Sequence, residues 1–104
     1  MASFNKIIIM GNLAAKPDLR YTKSNKEVCN LVVAVNDYSS NDVDYIPVVV
    51  WGKLAVRCND KLKKGSAVLV EGTLKKRSYE YKGEKRSKME IHAMKINFIS
   101  NLKE

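Results

Sequence analysis

VDYIPVVVWGKLA, residues 43–55, is the most informative stretch of this chain. In a β-strand, successive side chains point to opposite faces of the sheet. One face of this strand would be aliphatic, formed by Ile46, Val48 and Val50. The other face would carry two aromatic rings and a terminal cation, supplied by Tyr45, Trp51 and Lys53. Aromatic rings beside cations can hold nucleobases and phosphates together, so this strand predicts a nucleic-acid-binding face backed by core residues.

Composition and charge favour a small basic domain with a polyanionic partner. The chain has 104 residues, which predicts a single domain over residues 1–104, and its net charge is +8. That charge favours nucleic acid first and an anionic membrane second. No apolar run approaches the roughly 18 residues of a membrane span, and the N-terminus lacks a signal-peptide pattern. Cys29 and Cys58 do not have the spacing of a zinc site or a disulfide framework, so we expect a cytoplasmic protein without a metal or other cofactor.

Alternating apolar residues predict five strands, and a helical stripe predicts one helix. The strands fall at residues 4–13, 28–36, 43–52, 66–81 and 86–99, and residues 19–22 are compatible with an additional short strand. The helix is predicted over residues 53–64, followed by Gly65 in left-handed backbone. Its apolar stripe consists of Leu54, Ala55, Cys58 and Leu62. Five strands with a helix between the third and fourth is the element order of an OB-fold, an all-β Greek-key barrel.

Three local features are expected from so tightly coiled a sheet. Gly11 and Gly72 would relieve crowding where the strands bend around the barrel. The apolar parity of the last strand shifts along its length, which predicts a bulge near Met94. Tyr21 and Phe98 are expected to be core residues.

Residues 61–88 hold nearly all of the net charge, with ten basic against three acidic residues. Within them, Lys75, Arg77, Tyr79 and Tyr81 alternate onto one strand face. An alternative is a charged edge hairpin that prevents aggregation, with its tyrosines packed across the strands. The facing segment, residues 85–88, is basic and polar rather than apolar. We therefore favour a surface that follows phosphates and stacks bases.

Catalysis has little support in the sequence. His92 is the only histidine, and it shares a strand face with Glu90, but such a pair does not make a catalytic triad. Asp42 and Asp44 fall at a loop rim, where carboxylates are usually solvated. The chain has no glycine-rich phosphate loop, metalloprotease motif or nucleophile elbow. We expect a binding protein and not an enzyme.

Five blocks of the chain together resemble bacterial single-stranded DNA-binding proteins. The blocks are NKIIIMGNL at 5–13, PDLRY at 17–21, VVWGKLA at 49–55, LKKGS at 62–66 and VEGTL at 70–74. They stand in the family's order and spacing, and the resemblance spans about residues 4–99. It implies an OB-fold that wraps single strands without strong sequence preference, protects them in replication, recombination or repair, and usually forms a homotetramer.

The resemblance also implies roles for individual residues. Bases would stack on rings at Tyr45, Trp51 and Tyr79, and at Tyr38 by a looser alignment. The backbone would be contacted by Lys6, Lys53, Lys64 and Arg77. Pro47 departs from the pattern, because it falls where a phosphate-binding arginine is common; it is expected at an unpaired edge position. Ile46 and the outer side of the first strand are candidate subunit contacts by the same resemblance.

The family usually carries a flexible linker and an acidic tip that recruits protein partners, whereas this sequence ends at Glu104, so tail-mediated recruitment is not carried over. Two other functions stay open at this point. One is an OB-fold RNA-binding protein or a primosome-type replication accessory, and the other is an adaptor whose aromatic face docks a protein.

Overall fold

The structure, a computed structural model that describes residues 1–99, is one sheet closed into a barrel with a single helix against it. Its elements are β1 (Ile7–Leu13), β2 (Asp18–Tyr21), β3 (Glu27–Asp37), β4 (Asp42–Trp51), α1 (Lys53–Lys61), β5 (Ala67–Tyr81) and β6 (Glu84–Phe98). The sheet order is β1-β5-β6-β4-β3-β2, and an extra pairing of β1 with β3 closes the ring. β4 and β6 pair in parallel and the other pairs are antiparallel. The predicted all-β OB-fold is confirmed, with the short strand present as β2 on the edge of β3.

The core lies inside the barrel and under the helix. Most inward side chains of β3 and β4 are almost fully buried, as the alternation predicts, and Val35 and Ile46 toward the far ends are partly buried. Helix α1 adds Ala55 and Cys58 to this core, and Leu62 follows directly after it. The helix is three residues shorter than predicted because Leu62 turns to extended backbone, although its N–H still donates to the carbonyl of Cys58. Gly65 adopts the expected left-handed φ of 93° in the turn that follows.

Both barrel glycines lie where two backbones approach closely. A Cβ on Gly11 would collide with the carbonyl of Ala34 on β3, and a Cβ on Gly72 with the carbonyl of His92 on β6. The bulge predicted near Met94 is confirmed: Glu71 is opposite Lys95 and Gly72 is opposite Ala93, which leaves Met94 without a partner. Extra twist at such a bulge lets β5 and β6 coil around the barrel.

Of the two expected core aromatics, Tyr21 contradicts the prediction and Phe98 packs at the margin of the core. Tyr21 is 58% exposed, because β2 is an edge strand that pairs only with β3. Phe98 is partly buried: it packs against the core cluster, while the guanidinium of Arg57 lies 5.3 Å from the centre of its ring. Residues 100–104, expected to form a short tail, lie outside the described residues.

Pro47 occupies a position in β4 where its missing N–H is tolerated. It faces Val32 on β3, and the carbonyl of Val32 accepts a hydrogen bond from Ala14 on the other side of that strand. The backbone of Pro47 therefore points away from β3, toward β6, whose pairing with β4 begins only at Val48. The position is unpaired, as expected, but β4 lies inside the sheet between β3 and β6 and not at its edge.

The far halves of β5 and β6 form a two-stranded ribbon beyond the barrel. β1 pairs with β5 only as far as Gly72, and β4 pairs with β6 only at Ile91 and His92. The Asn5 side chain ends the barrel here by donating to and accepting from the backbone of Leu74, at 2.8 and 2.9 Å. From Lys75 to Glu90, β5 and β6 pair only with each other, and we call residues 75–88 the basic hairpin.

Candidate nucleic-acid interface

The outer face of β4 carries the two aromatic rings predicted from the sequence. Tyr45 is 64% exposed and Trp51 is 39% exposed, while the neighbouring Val49 on the same face is buried. The ammonium of Lys26 lies 5.5 Å from the centre of the Trp51 ring, within the range of a cation–π contact. Trp51 therefore presents a partly exposed ring with the ammonium of Lys26 beside it. This arrangement suits a stacked base next to a phosphate.

Trp51 forms one wall of a cleft that crosses four strands. The strand register aligns four residues in one row across β3, β4, β6 and β5, namely Asn30, Val49, His92 and Thr73. The cleft has a volume of about 380 Å³ and is lined by Val28, Asn30, Val49, Trp51, Arg77, Glu90 and His92. We call it the Trp51 cleft. It combines an aromatic wall and an aliphatic floor with hydrogen-bonding groups, as nucleobase sites require.

The polar side of the Trp51 cleft is organised by a buried carboxylate. Glu90 is 3% exposed. Its Oε2 lies 2.8 Å from Nε2 of His92, and its Oε1 lies 3.3 Å from Nε of Arg77. The contact with Arg77 is an ion pair without hydrogen-bond alignment. The sequence placed Glu90 and His92 on one face, but it gave no sign of the link to Arg77, which is diagonal across the register.

The basic hairpin carries the other predicted rings and cations. Tyr79 is opposite Arg86 and Tyr81 is opposite Glu84, so the cross-strand neighbours of both tyrosines are charged rather than apolar. Tyr79 is 41% and Tyr81 49% exposed. Lys82 and Arg86 each lie 5.3 Å from the centre of the Tyr81 ring. Two cations thus lie against the Tyr81 ring, whereas no such contact is made with Tyr79 among the described residues.

Tyr38 projects from the β3–β4 turn. The carboxylate of Asp37 holds this turn by accepting hydrogen bonds from the hydroxyl of Ser39 at 2.7 Å and from its N–H at 3.0 Å. These bonds, with the Ser39 hydroxyl as the largest cause, lower the pKa of Asp37 below its ordinary value. Tyr38 itself is 89% exposed and lines clefts other than the Trp51 cleft.

Four of the predicted cations lie outside the Trp51 cleft. Lys6 is 3.8 Å from Glu71 and lines a different cleft with Phe4 and Met94. Lys53 begins α1 and Lys64 lies in the turn after it, both exposed. Lys75 is exposed on β5, directly opposite Glu90. Of the ten predicted site residues, the structure brings only Trp51 and Arg77 into this one cleft.

Sequence reasoning missed several residues that contact the predicted ones. Lys26 and Arg86 cover aromatic rings, and Asn30 and Val49 line the Trp51 cleft. For Val49 and Asn30 the parity of β3 and β4 held the necessary signal, since both share the outer face with Trp51. Lys26 lies in the connection before β3, and the periodicity of the sequence does not indicate where the side chain of a loop residue points.

The described part of the chain has two cysteine thiols besides the groups of the candidate interface. Both cysteines are buried free thiols. Burial raises the pKa of Cys58 to about 12, with the nearby Cys29 thiol adding to the rise, and burial likewise raises the pKa of Cys29. Residues 1–99 contain no cluster of three metal-ligating side chains and no helix long and apolar enough to cross a membrane.

The sequence of this chain matches a known protein family. The family model described as "Single-strand binding protein family" matches residues 4–99. The chain belongs to that family. The resemblance seen in the five sequence blocks is thereby confirmed, and the match covers β1 to β6 with the helix between them.

Named relatives agree with the family match. Single-stranded DNA-binding protein 2 of Chlorobaculum tepidum is 41% identical, over 99% of this chain and 76% of that protein. The single-stranded DNA-binding protein of Treponema pallidum is 31% identical, over 98% of this chain and 61% of its own length. Single-stranded DNA-binding protein 1 of Streptococcus pyogenes serotype M6 is 41% identical, over 78% of this chain and 66% of its own length. The chain thus spans less than two thirds of the length of two of these three relatives.

Proposed function

We propose that this protein binds single-stranded DNA without strong base preference and protects it during replication, recombination or repair. The names of its relatives support this activity. The observation that carries it is the continuity of Trp51 and Arg77, in one cleft, with the rings and cations of the basic hairpin. A strand crossing this surface meets alternating flat rings and positive groups, which suits stacked bases and a charged backbone.

Stacking is assigned to the exposed rings. Trp51 and Tyr79 are the principal platforms, Tyr45 and Tyr38 extend the path on the β3–β4 side, and Tyr81 adds a platform at the hairpin tip. Each stacked base contributes about 1–3 kcal/mol, largely independent of sequence because every base has a π-face. Phosphate contacts are assigned to the cations Lys6, Lys53, Lys64, Lys75 and Arg77.

We further propose that the protein works as a homo-oligomer, a tetramer as is usual in the family, in the cytoplasm with the chromosome. Ile8 and Met10, both more than half exposed on the outer side of β1, are the candidate subunit contacts. Ile46, also a candidate from the resemblance, packs against the core of its own chain. We propose a binding role without catalysis and without a cofactor.

Binding is tested by fluorescence anisotropy of labelled oligo-dT with the wild type and with Trp51→Ala and Tyr79→Ala. Each substitution removes one platform, so each should weaken binding by roughly 5- to 150-fold, equivalent to about 1–3 kcal/mol. Tyr21→Ala is the matched control, because Tyr21 is an exposed ring on the edge strand β2 and has no assigned contact with DNA. Wild-type affinity in both test variants, with unchanged thermal unfolding, would refute stacking.

The same assay separates the alternatives. Oligo-U at matched salt should bind no more tightly than oligo-dT, because the platforms read no 2′-hydroxyl; preference for oligo-U would assign the protein to RNA. The fluorescence of Trp51 should quench on adding oligo-dT. No quenching and no binding would favour the protein-docking adaptor. The mass in solution, measured alongside, tests the proposed tetramer.

A further inference from the structure

Glu90 is the buried charged side chain of the described residues, and it lies at the candidate interface rather than in the barrel interior. Burial of an ionised carboxylate is unfavourable unless a cation or hydrogen-bond donors compensate for the lost water. Its compensation comes from two groups, Nε2 of His92 at 2.8 Å and Nε of Arg77 at 3.3 Å. The Arg77 pairing is therefore part of what keeps Glu90 stable in this place.

The carboxylate holds Arg77 by the inner nitrogen of the guanidinium. Nε is the atom that faces Glu90, and the Arg77 side chain is still 58% exposed. Among residues 1–99, no other carboxylate lies within 4.0 Å of Arg77, and its terminal nitrogens donate no hydrogen bond to them. The two terminal nitrogens are thus left for an external acceptor, and their planar fork matches the oxygens of a phosphate.

The neighbourhood keeps a positive balance despite Glu90. Lys75 lies directly opposite Glu90, and Lys88 lies directly opposite Arg77. Trp51 lines the same cleft as Arg77. A nucleotide whose base rests on Trp51 would therefore find a prepositioned guanidinium beside it.

We propose that Glu90 is a positioning residue, which holds Arg77 so that its terminal nitrogens receive a backbone phosphate of the strand whose base stacks on Trp51. This deepens the proposed binding of single-stranded DNA and rests on it. Without Glu90, the long Arg77 side chain must lose its rotamer freedom on binding. Immobilising such a side chain costs about 0.5–1.5 kcal/mol, which corresponds to roughly 2- to 12-fold in affinity.

The sign of one substitution separates positioning from simple repulsion. A carboxylate near a phosphate backbone repels it, so removal of its charge alone should strengthen DNA binding. If Glu90 positions Arg77, Glu90→Gln should instead weaken oligo-dT binding by roughly 2- to 12-fold. Glutamine keeps the shape of the side chain, and its amide oxygen can still accept from His92. Glu80→Gln is the matched control: it removes the same charge from an exposed site on the basic hairpin, and it should bind equally or more tightly.

A double-mutant cycle supplies the second readout. In an Arg77→Ala background, Glu90→Gln should cause no further weakening, because the side chain that it positions is gone. Equal weakening in both backgrounds, or stronger binding by Glu90→Gln alone, would overturn the proposal. Thermal unfolding of every variant shows whether the fold is intact.

Arg77→Lys covers the case in which Glu90→Gln does not fold. Lysine keeps the charge but has no inner nitrogen to hold the carboxylate while two others hold a phosphate. We expect several-fold weaker binding with an unchanged salt dependence, and wild-type affinity would overturn the proposal. Failure of the wild type to bind oligo-dT at all would instead refute the proposed function, so the two failures are distinguishable.

Discussion

At the scale of single residues, Gly72 shows how a missing side chain sets the geometry of the interface. Its Cα faces the carbonyl of His92, and no Cβ fits between the two backbones. The same position is where the register of β5 and β6 shifts past Met94. Gly72 thus lies at the last pairing of β5 with β1, at the point where β5 and β6 begin to leave the barrel.

Gly72→Ala should therefore destabilise the fold. The neighbour in the way is backbone, which cannot rotate aside, so the strands must separate locally. Overpacking of this kind costs about 1–3 kcal/mol, measured as the free energy of unfolding in urea. Gly83→Asn is the control, since Gly83 has open space and a left-handed φ of 78° that asparagine tolerates. Unchanged stability of Gly72→Ala would show that β5 and β6 are not in close contact there.

Single-residue predictions from the sequence succeeded where periodicity alone carries the signal. The bulge at Met94 follows from a parity shift, and the crowding at Gly72 follows from a glycine inside a strand. Tyr21 was predicted to be core and is exposed, because nothing in its own neighbourhood reveals that β2 lies at an edge. The Glu90–Arg77 pair needed the register of two strands, which the sequence does not state.

At the scale of elements, α1 contributes a buried thiol to the core. Cys58 is the buried centre of the helical stripe, next to Cys29 of β3. Both the helix and its stripe were predictable from spacing, whereas the end of the helix was not. Leu62 still belongs to the core although its backbone is extended. The apolar stripe therefore continues one residue past the end of the helix.

Burial of Cys58 predicts a specific loss of stability in alkali. The folded protein raises the pKa of this thiol from 9.0 to about 12, so it holds a proton that the unfolded chain releases. The contribution of the protonated Cys58 thiol to the free energy of unfolding is fully present below about pH 9. It declines as the pH rises from there toward 12. Urea unfolding between pH 7 and 10 measures the free energy of unfolding of the wild type and of Cys58→Ala. Relative to its own value at pH 7, this free energy should fall more steeply for the wild type.

The comparison with Cys58→Ala isolates the thiol from other groups that titrate in alkali, such as the lysines and tyrosines, because both proteins contain them equally. Parallel declines in the two proteins would mean that Cys58 ionises as readily in the folded state as in the unfolded one. Thiol reagents offer an independent measurement, since they should react with Cys58 only as fast as the protein opens.

At the scale of the whole molecule, charge is segregated onto one projection. Residues 75–88, which stand clear of the barrel, hold seven of the 19 basic side chains but only two of the 11 acidic ones. A two-stranded ribbon has little stability of its own, so the barrel must support it through β1, β4 and the Asn5 contacts with Leu74. The position of the hairpin was predictable from the sequence, because Lys82-Gly83-Glu84 marks its turn. The sequence did not predict that the hairpin pairs with no other strand, because this depends on where β1 and β4 end.

Segregation of charge predicts that equal losses of charge will have unequal effects on binding. Lys75→Gln with Lys88→Gln removes two cations beside Arg77, whereas Lys16→Gln with Lys23→Gln removes two exposed cations outside residues 61–88. Each phosphate contact on a single strand contributes about −0.7 to the slope of log K against log salt. The hairpin pair should therefore flatten the slope by up to about 1.4, and the other pair should leave it unchanged. Anisotropy titrations of oligo-dT at four salt concentrations measure both slopes; equal flattening would mean that net charge, and not the position of the hairpin, governs binding.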